Sequence, residues 1–134
     1  MAEKQIRVVI ADDEEQGLRF MKAAMEILKY EVAGEATNGD EAIDLFIKEQ
    51  PDILFLDISM HTKTGLEALE EIKSIDSNAF IIMMKASEDS IEAAEKCVNR
   101  GAVSYIKKDT PILEMCYIIK ETWENFNSQS KKIY

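Results

Sequence analysis

Cysteine, proline and glycine are scarce in this sequence, and each shortage excludes something. The two cysteines, Cys97 and Cys116, have no C-x-x-C spacing, so a zinc site is not expected. Both fall in stretches that read as helix, where reduced thiols are the plain interpretation. With only two prolines and five glycines among 134 residues, neither a collagen-like nor a low-complexity chain fits. Basic residues are the minority: 16 lysines and arginines stand against 26 aspartates and glutamates, a formal net charge of −10. No basic stripe appears, so direct nucleic-acid binding and attachment to anionic membranes are both disfavoured. No apolar run is long enough to cross a bilayer, and the opening Met1-Ala-Glu-Lys4 has no signal-segment character. A cytoplasmic protein is expected. Neither G-x-x-x-x-G-K nor G-x-G-x-x-G occurs, which removes the common nucleotide-binding loops.

What the chain does have is a core and an alternating pattern. Hydrophobic residues make up 46% of it, enough for one globular domain. Ile6–Ala11, Tyr30–Ala36, Ile53–Leu56, Ala79–Met84 and Val103–Ile106 read as strands. Between them lie helical stripes. Leu18, Met21, Met25 and Leu28 mark the first, Ala42, Ile43, Phe46 and Ile47 the second, and Leu66, Leu69 and Ile72 the third. Thr64-Gly-Leu-Glu67 fits a capping box that starts the third helix. Ser87 is expected to cap the fourth, with Ile91, Ala94 and Val98 facing inward and Asn99-Arg-Gly101 ending it. Thr110 and Pro111 open the fifth, lined by Ile112, Met115, Ile119 and Trp123. Five strands alternating with five helices predict a doubly wound α/β domain with a parallel sheet. Residues 1–126 form that domain, and the polar residues 127–134 read as a tail or the start of a linker.

Carboxylates sit where such sheets keep their sites. Asp57 ends the buried run Ile53-Leu-Phe-Leu, and Asp12 and Asp13 follow the first strand directly. If those strands are neighbours, the three carboxylates converge on one sheet edge, and a hard divalent cation would neutralise them best.

Taken together, Asp12-Asp13, Asp57, Gly65 eight residues later and the segment Gly101-Ala-Val-Ser-Tyr-Ile-Lys-Lys108 resemble the receiver domain of bacterial two-component response regulators. The resemblance covers roughly residues 5 to 126. It implies a flavodoxin-like (CheY-like) fold with strand order 2-1-3-4-5. It implies that Asp57 accepts a phosphoryl group, an aspartate acting as nucleophile in a transfer that is mostly positioning and charge neutralisation. Mg²⁺ would be held by Asp12, Asp13, Asp57 and the backbone carbonyl of Ser59. Lys108 would pair with Asp57 and later with a phosphoryl oxygen. Tyr105 would be the aromatic switch residue, and the surface around helix four, strand five and helix five the readout. A sensor histidine kinase or phosphotransfer protein would supply the phosphoryl group, and an output protein or domain would read it. Such a chain is a switch, not an enzyme.

Two positions depart from the family's pattern. Lys85 stands where a Thr or Ser hydroxyl is usual, and His61 where proline is usual. Lys85 is expected to form an ion pair with Asp57, to weaken Mg²⁺ binding and to leave the switch poorly coupled. Ser87 could be a displaced hydroxyl only if strand four slipped its register. His61 reads as an exposed bystander in a loop loosened by the missing proline. A competing reading is therefore a degenerate receiver that only binds partners. A hydrolase of the haloacid dehalogenase type is disfavoured, because Ser59 stands where it needs a second aspartate.

Overall fold

Strand β3, Ile53–Asp57, lies in the middle of a parallel sheet, and all five of its residues are buried. The computed structural model describes residues 4–131, with side chains through Asn127. Around β3 stand β1 (Arg7–Ala11), β2 (Glu31–Ala36), β4 (Ile81–Lys85) and β5 (Ser104–Lys107), in the order β2-β1-β3-β4-β5. Five helices alternate with them: α1 (Glu15–Leu28), α2 (Gly39–Glu49), α3 (Gly65–Ile75), α4 (Ile91–Asn99) and α5 (Ile112–Lys131). The expected fold class and strand order are those observed.

Successive residues of a strand point to opposite faces, so the sheet builds two cores. Val9, Ala11, Leu54, Leu56, Ile81 and Met83 pack under α2, α3 and α4. Val8, Ile10, Ile53, Phe55, Ile82 and Met84 pack under α1 and α5. Burying one such side chain contributes about 1.5–3 kcal/mol. With Ile53, Leu54, Phe55 and Leu56 all at 0% exposure, β3 is the best-held strand, and that hold draws Asp57 in at its end. Beyond the other end of the sheet, Phe80 meets Trp123 edge-on at 5.1 Å and Phe126 at 4.7 Å, fixing α5 to the start of β4.

Local chemistry explains most boundaries. Asn38 caps α2 by accepting the Glu41 amide, and Thr64 with Glu67 forms the expected reciprocal box at α3. The β1–β2 ladder skips a residue, passing from Val8 opposite Val32 to Val9 opposite Gly34, an irregularity that matches the weak reading of this strand.

Three expectations need correction. The cap of α4 is Ser90, whose hydroxyl accepts the Ala93 amide, not Ser87. The β4–α4 loop is longer than the pattern implied, so the buried face of α4 rotates to Ala94 and Cys97 and leaves Ile91 56% and Val98 37% exposed. The stretch read as a tail begins as helix: α5 continues to Lys131, with residues 132–134 outside the described ones.

Candidate functional site

The parallel register sets the site. Ala11 pairs with Leu56, so Asp12 and Asp57 leave adjacent strands at the same level. Both are 2% exposed. Asp13 follows, and one carboxylate oxygen from each of Asp12, Asp13 and Asp57 lies within 4.8 Å of the others. The backbone is cut away to fit them. A Cβ on Gly17 would lie 1.9 Å from Asp12 Oδ2, and one on Gly65 would lie 2.2 Å from the Asp57 carbonyl.

Lys108 reaches the cluster from the loop after β5. Its Nζ lies 2.8 Å from Asp12 Oδ2 and 3.6 Å from Asp57 Oδ2, so its main partner is Asp12 rather than the expected Asp57. Glu14, although exposed, comes to 3.5 Å of the same ammonium. Burial pulls Lys108 towards neutrality, but the hydrogen bond to Asp12 and the charges of Asp57, Asp12 and Glu14 outweigh it and hold the ammonium above its usual pKa. Asp57 fares differently. Burial first, then the charge of Asp12, push its carboxyl up to about 7, against the counter-pull of Lys108 and the Ser59 amide. One ammonium is thus too little for three carboxylates, and an added cation fits both the donor set and the charge.

Ser59 donates its amide to Asp57 Oδ1 at 3.3 Å. Its hydroxyl donates to Asp89 Oδ1, while Asp89 Oδ2 accepts the Ala86 amide at 2.9 Å. Asp89 thereby joins the loops after β3 and β4. Its place in sequence gives no hint of this, because both partners come to it through the fold.

His61 is exposed as expected, but it is not a bystander: its Nδ1 lies 2.6 Å from Asp13 Oδ2. Lys85 is a second correction. Its ammonium makes no ion pair with Asp57 or with any other carboxylate among the described residues, and donates instead to the Ala86 carbonyl at 3.2 Å. It lines a small pocket with Ala86, Ser87, Lys107 and Asp109. The reason is like-charge repulsion, since Lys108 already occupies the space beside Asp12 and Asp57. Ser87 offers no displaced hydroxyl to the cluster; it is exposed and turns to Glu88 at 3.3 Å. Tyr105 is half-buried against the core under α4. Burial pushes the thiols of Cys97 and Cys116 up, which keeps them unreactive.

A parallel β2-β1-β3-β4-β5 sheet with an acidic triad and a lysine at its C-terminal edge defines a class of signalling domain. The response regulator receiver domain family matches residues 8–120, and the chain belongs to that family. It is 39% identical to the chemotaxis protein CheY of Thermotoga maritima over 102 residues, covering 76% of this chain and 84% of that one. It is 32% identical to the transcriptional regulatory protein DesR of Bacillus subtilis, covering 96% of this chain but 61% of that protein. Among solved structures, a CheY-like receiver domain from Methanospirillum hungatei superposes with a TM-score of 0.84 at 25% identity, over 94% of this chain and 99% of that one. CheY in the CheX-CheY-BeF3-Mg complex of Borrelia burgdorferi superposes at 0.82 with 22% identity, over 88% and 89% of the two chains.

Proposed function

We propose that this chain is a phosphoacceptor switch in which Asp57 takes a phosphoryl group with the help of Mg²⁺. The observation that carries this is the convergence of Asp12, Asp13 and Asp57, within 4.8 Å, on a buried sheet edge next to the Lys108 ammonium. A carboxylate oxygen of Asp57 attacks phosphorus in line; the new O–P bond forms as the donor's bond to phosphorus breaks, and the donor leaves with that electron pair. Asp12, Asp13, Asp57 and the Ser59 carbonyl would hold the ion, which supplies positive charge for the transferred oxygens and favours the ionised, nucleophilic form of Asp57. Lys108 then exchanges its carboxylate partners for a phosphoryl oxygen. The donor would be a sensor histidine kinase or phosphotransfer protein in the cytoplasm. An output protein or domain would read Tyr105 and the surface of α4, β5 and α5. The chain acts as a switch and not as an enzyme.

Lys85 favours a second reading, a degenerate receiver that binds partners with weak or absent switching. A hydroxyl at this position would meet the phosphoryl group, whereas the lysine is committed to Ala86.

Incubation with a small phosphodonor and Mg²⁺, followed by intact mass measurement, separates the two. The first reading expects a gain of one phosphoryl group that disappears in Asp57→Asn and on chelation. Incorporation that survives Asp57→Asn overturns it, and no incorporation favours the degenerate reading.

A further inference from the structure

Lys85 and Lys107 stand opposite each other at the end of the β4–β5 ladder. We infer that they form a second site, apart from the acidic cluster, that binds a small free oxyanion of the phosphate class. This site does not depend on phosphorylation of Asp57.

Three observations carry it. First, Lys85 is only 7% exposed, and a lysine buried this deeply is ordinarily paired. Its ammonium makes no ion pair with a carboxylate among the described residues. One N–H donates to the Ala86 carbonyl at 3.2 Å, and two remain. Second, its neighbour across the ladder has the same charge. Met83 and Tyr105 lie on the face that packs under α4, and alternation places Lys85 and Lys107, two residues further on, on that face as well. Like charges directly opposite one another repel, and an anion between them removes that cost. Third, the two side chains line one cavity of about 190 Å³ with Ala86, Ser87 and Asp109. None of Asp12, Asp13, Asp57 or Lys108 borders it. A water takes up about 30 Å³ of liquid, so a small anion fits with part of its hydration.

Charge and donor chemistry then decide the ligand. Two ammoniums against the carboxylate of Asp109 leave the cavity positive, in a chain whose net charge is −10. Ser87 adds a hydroxyl whose 3.3 Å bond to Glu88 is longer than a normal O–H···O bond, so it can turn to a ligand. A tetrahedral phosphate presents acceptor oxygens to both ammoniums and to this hydroxyl at once.

The test is an amide-NMR titration of the chain with inorganic phosphate, without Mg²⁺ and at constant ionic strength. Saturable shifts are expected at residues 85–88 and 107–109. Lys85→Met is expected to weaken binding by about tenfold or more, as losing a charge-assisted hydrogen bond does. Lys107→Met should weaken it a few-fold, and Asp109→Asn should tighten it. Those two positions are exposed, so they decide the matter even if Lys85→Met does not fold. Asp57→Asn should bind phosphate at least as well as the wild type. Shifts that never saturate, or an affinity unchanged in the lysine variants, overturn the inference. Shifts centred on Asp12, Asp13 and Lys108, or binding lost in Asp57→Asn, overturn it too, by tracing the phosphate to the acidic edge. Its failure leaves the phosphoacceptor reading of Asp57 intact, because that reading is tested by covalent mass gain and not by free phosphate.

Discussion

Asp89 holds Ser59 and thereby ties the loop after β3 to the loop that leads into α4. Its second oxygen takes the Ala86 amide, so one carboxylate fastens both. Hydrogen bonds to a charged group are worth about 1.5–3 kcal/mol when shielded, and less at a half-exposed site such as this. Asp89→Ala is expected to destabilise the fold by about 1–2 kcal/mol. Hydrogen exchange should speed up in residues 58–64 and 86–90 and stay unchanged in β1. Unchanged protection in both loops would show that the tie carries no weight.

The Asp57 carboxyl gives a pH dependence with a defined sign. Its pKa is pushed from 3.8 to about 7 in the folded chain. Between those values the folded state binds more protons than the unfolded one, so stability falls as pH rises through this window and levels off above it. Each pKa unit corresponds to about 1.4 kcal/mol, which makes the penalty a few kcal/mol at most. Without metal, Asp57→Asn should melt higher than wild type at pH 8 and converge with it below about pH 4. Mg²⁺ should narrow the gap at pH 8. Circular-dichroism melts across pH, with and without Mg²⁺, check all three.

Lys85→Thr should leave Mg²⁺ affinity nearly unchanged, because the ammonium is bound to Ala86 and not to the cluster. It should instead change the response to phosphorylation, since the hydroxyl is available only in the variant. Amide shifts of Tyr105 and α4 on phosphorylation, compared in the two proteins, report that. Lys85→Met, which keeps the length and removes a largely buried charge, should melt no lower than wild type.

Thr64→Ala removes half of the reciprocal box at α3. A lost cap costs about 1 kcal/mol, and denaturant unfolding should show that loss with an unchanged slope. The side chain is exposed, so no cavity confuses the result.

The alternation of strands and helices was legible because it derives from one-dimensional signals, and the strand order followed from the resemblance to receiver domains. Apolar runs such as Ile53-Leu-Phe-Leu fix buried strands, and the intervening stripes fix the helices. Asp12, Asp13 and Asp57 were legible because they sit at strand ends and the register carries them together, whereas Lys108 was legible through the resemblance. The features that the pattern does not show depend on loops meeting in space. Ser90 rather than Ser87 caps α4 because the preceding turn is held by Asp89, and the helix face rotates with its start. The place of Lys85 was not legible because its long stem offers several destinations, and only the position of Lys108 excludes the one beside Asp57. The His61–Asp13 contact spans 48 positions of sequence, and neither residue announces the other.

The aromatic contact between Phe80 and Trp123 has a practical consequence. Trp123 is the sole tryptophan, and Phe80 precedes β4 at the edge where the strands begin. The acidic cluster lies a strand's length away, about 15 Å for a five-residue strand at 3.3 Å per residue. The chain's intrinsic fluorescence is therefore a gauge of whether α5 remains docked on the sheet, read at a distance from the carboxylates. Emission that stays constant during a titration certifies that the scaffold is intact, and a dim or red-shifted signal reports lost docking, whatever ion is present.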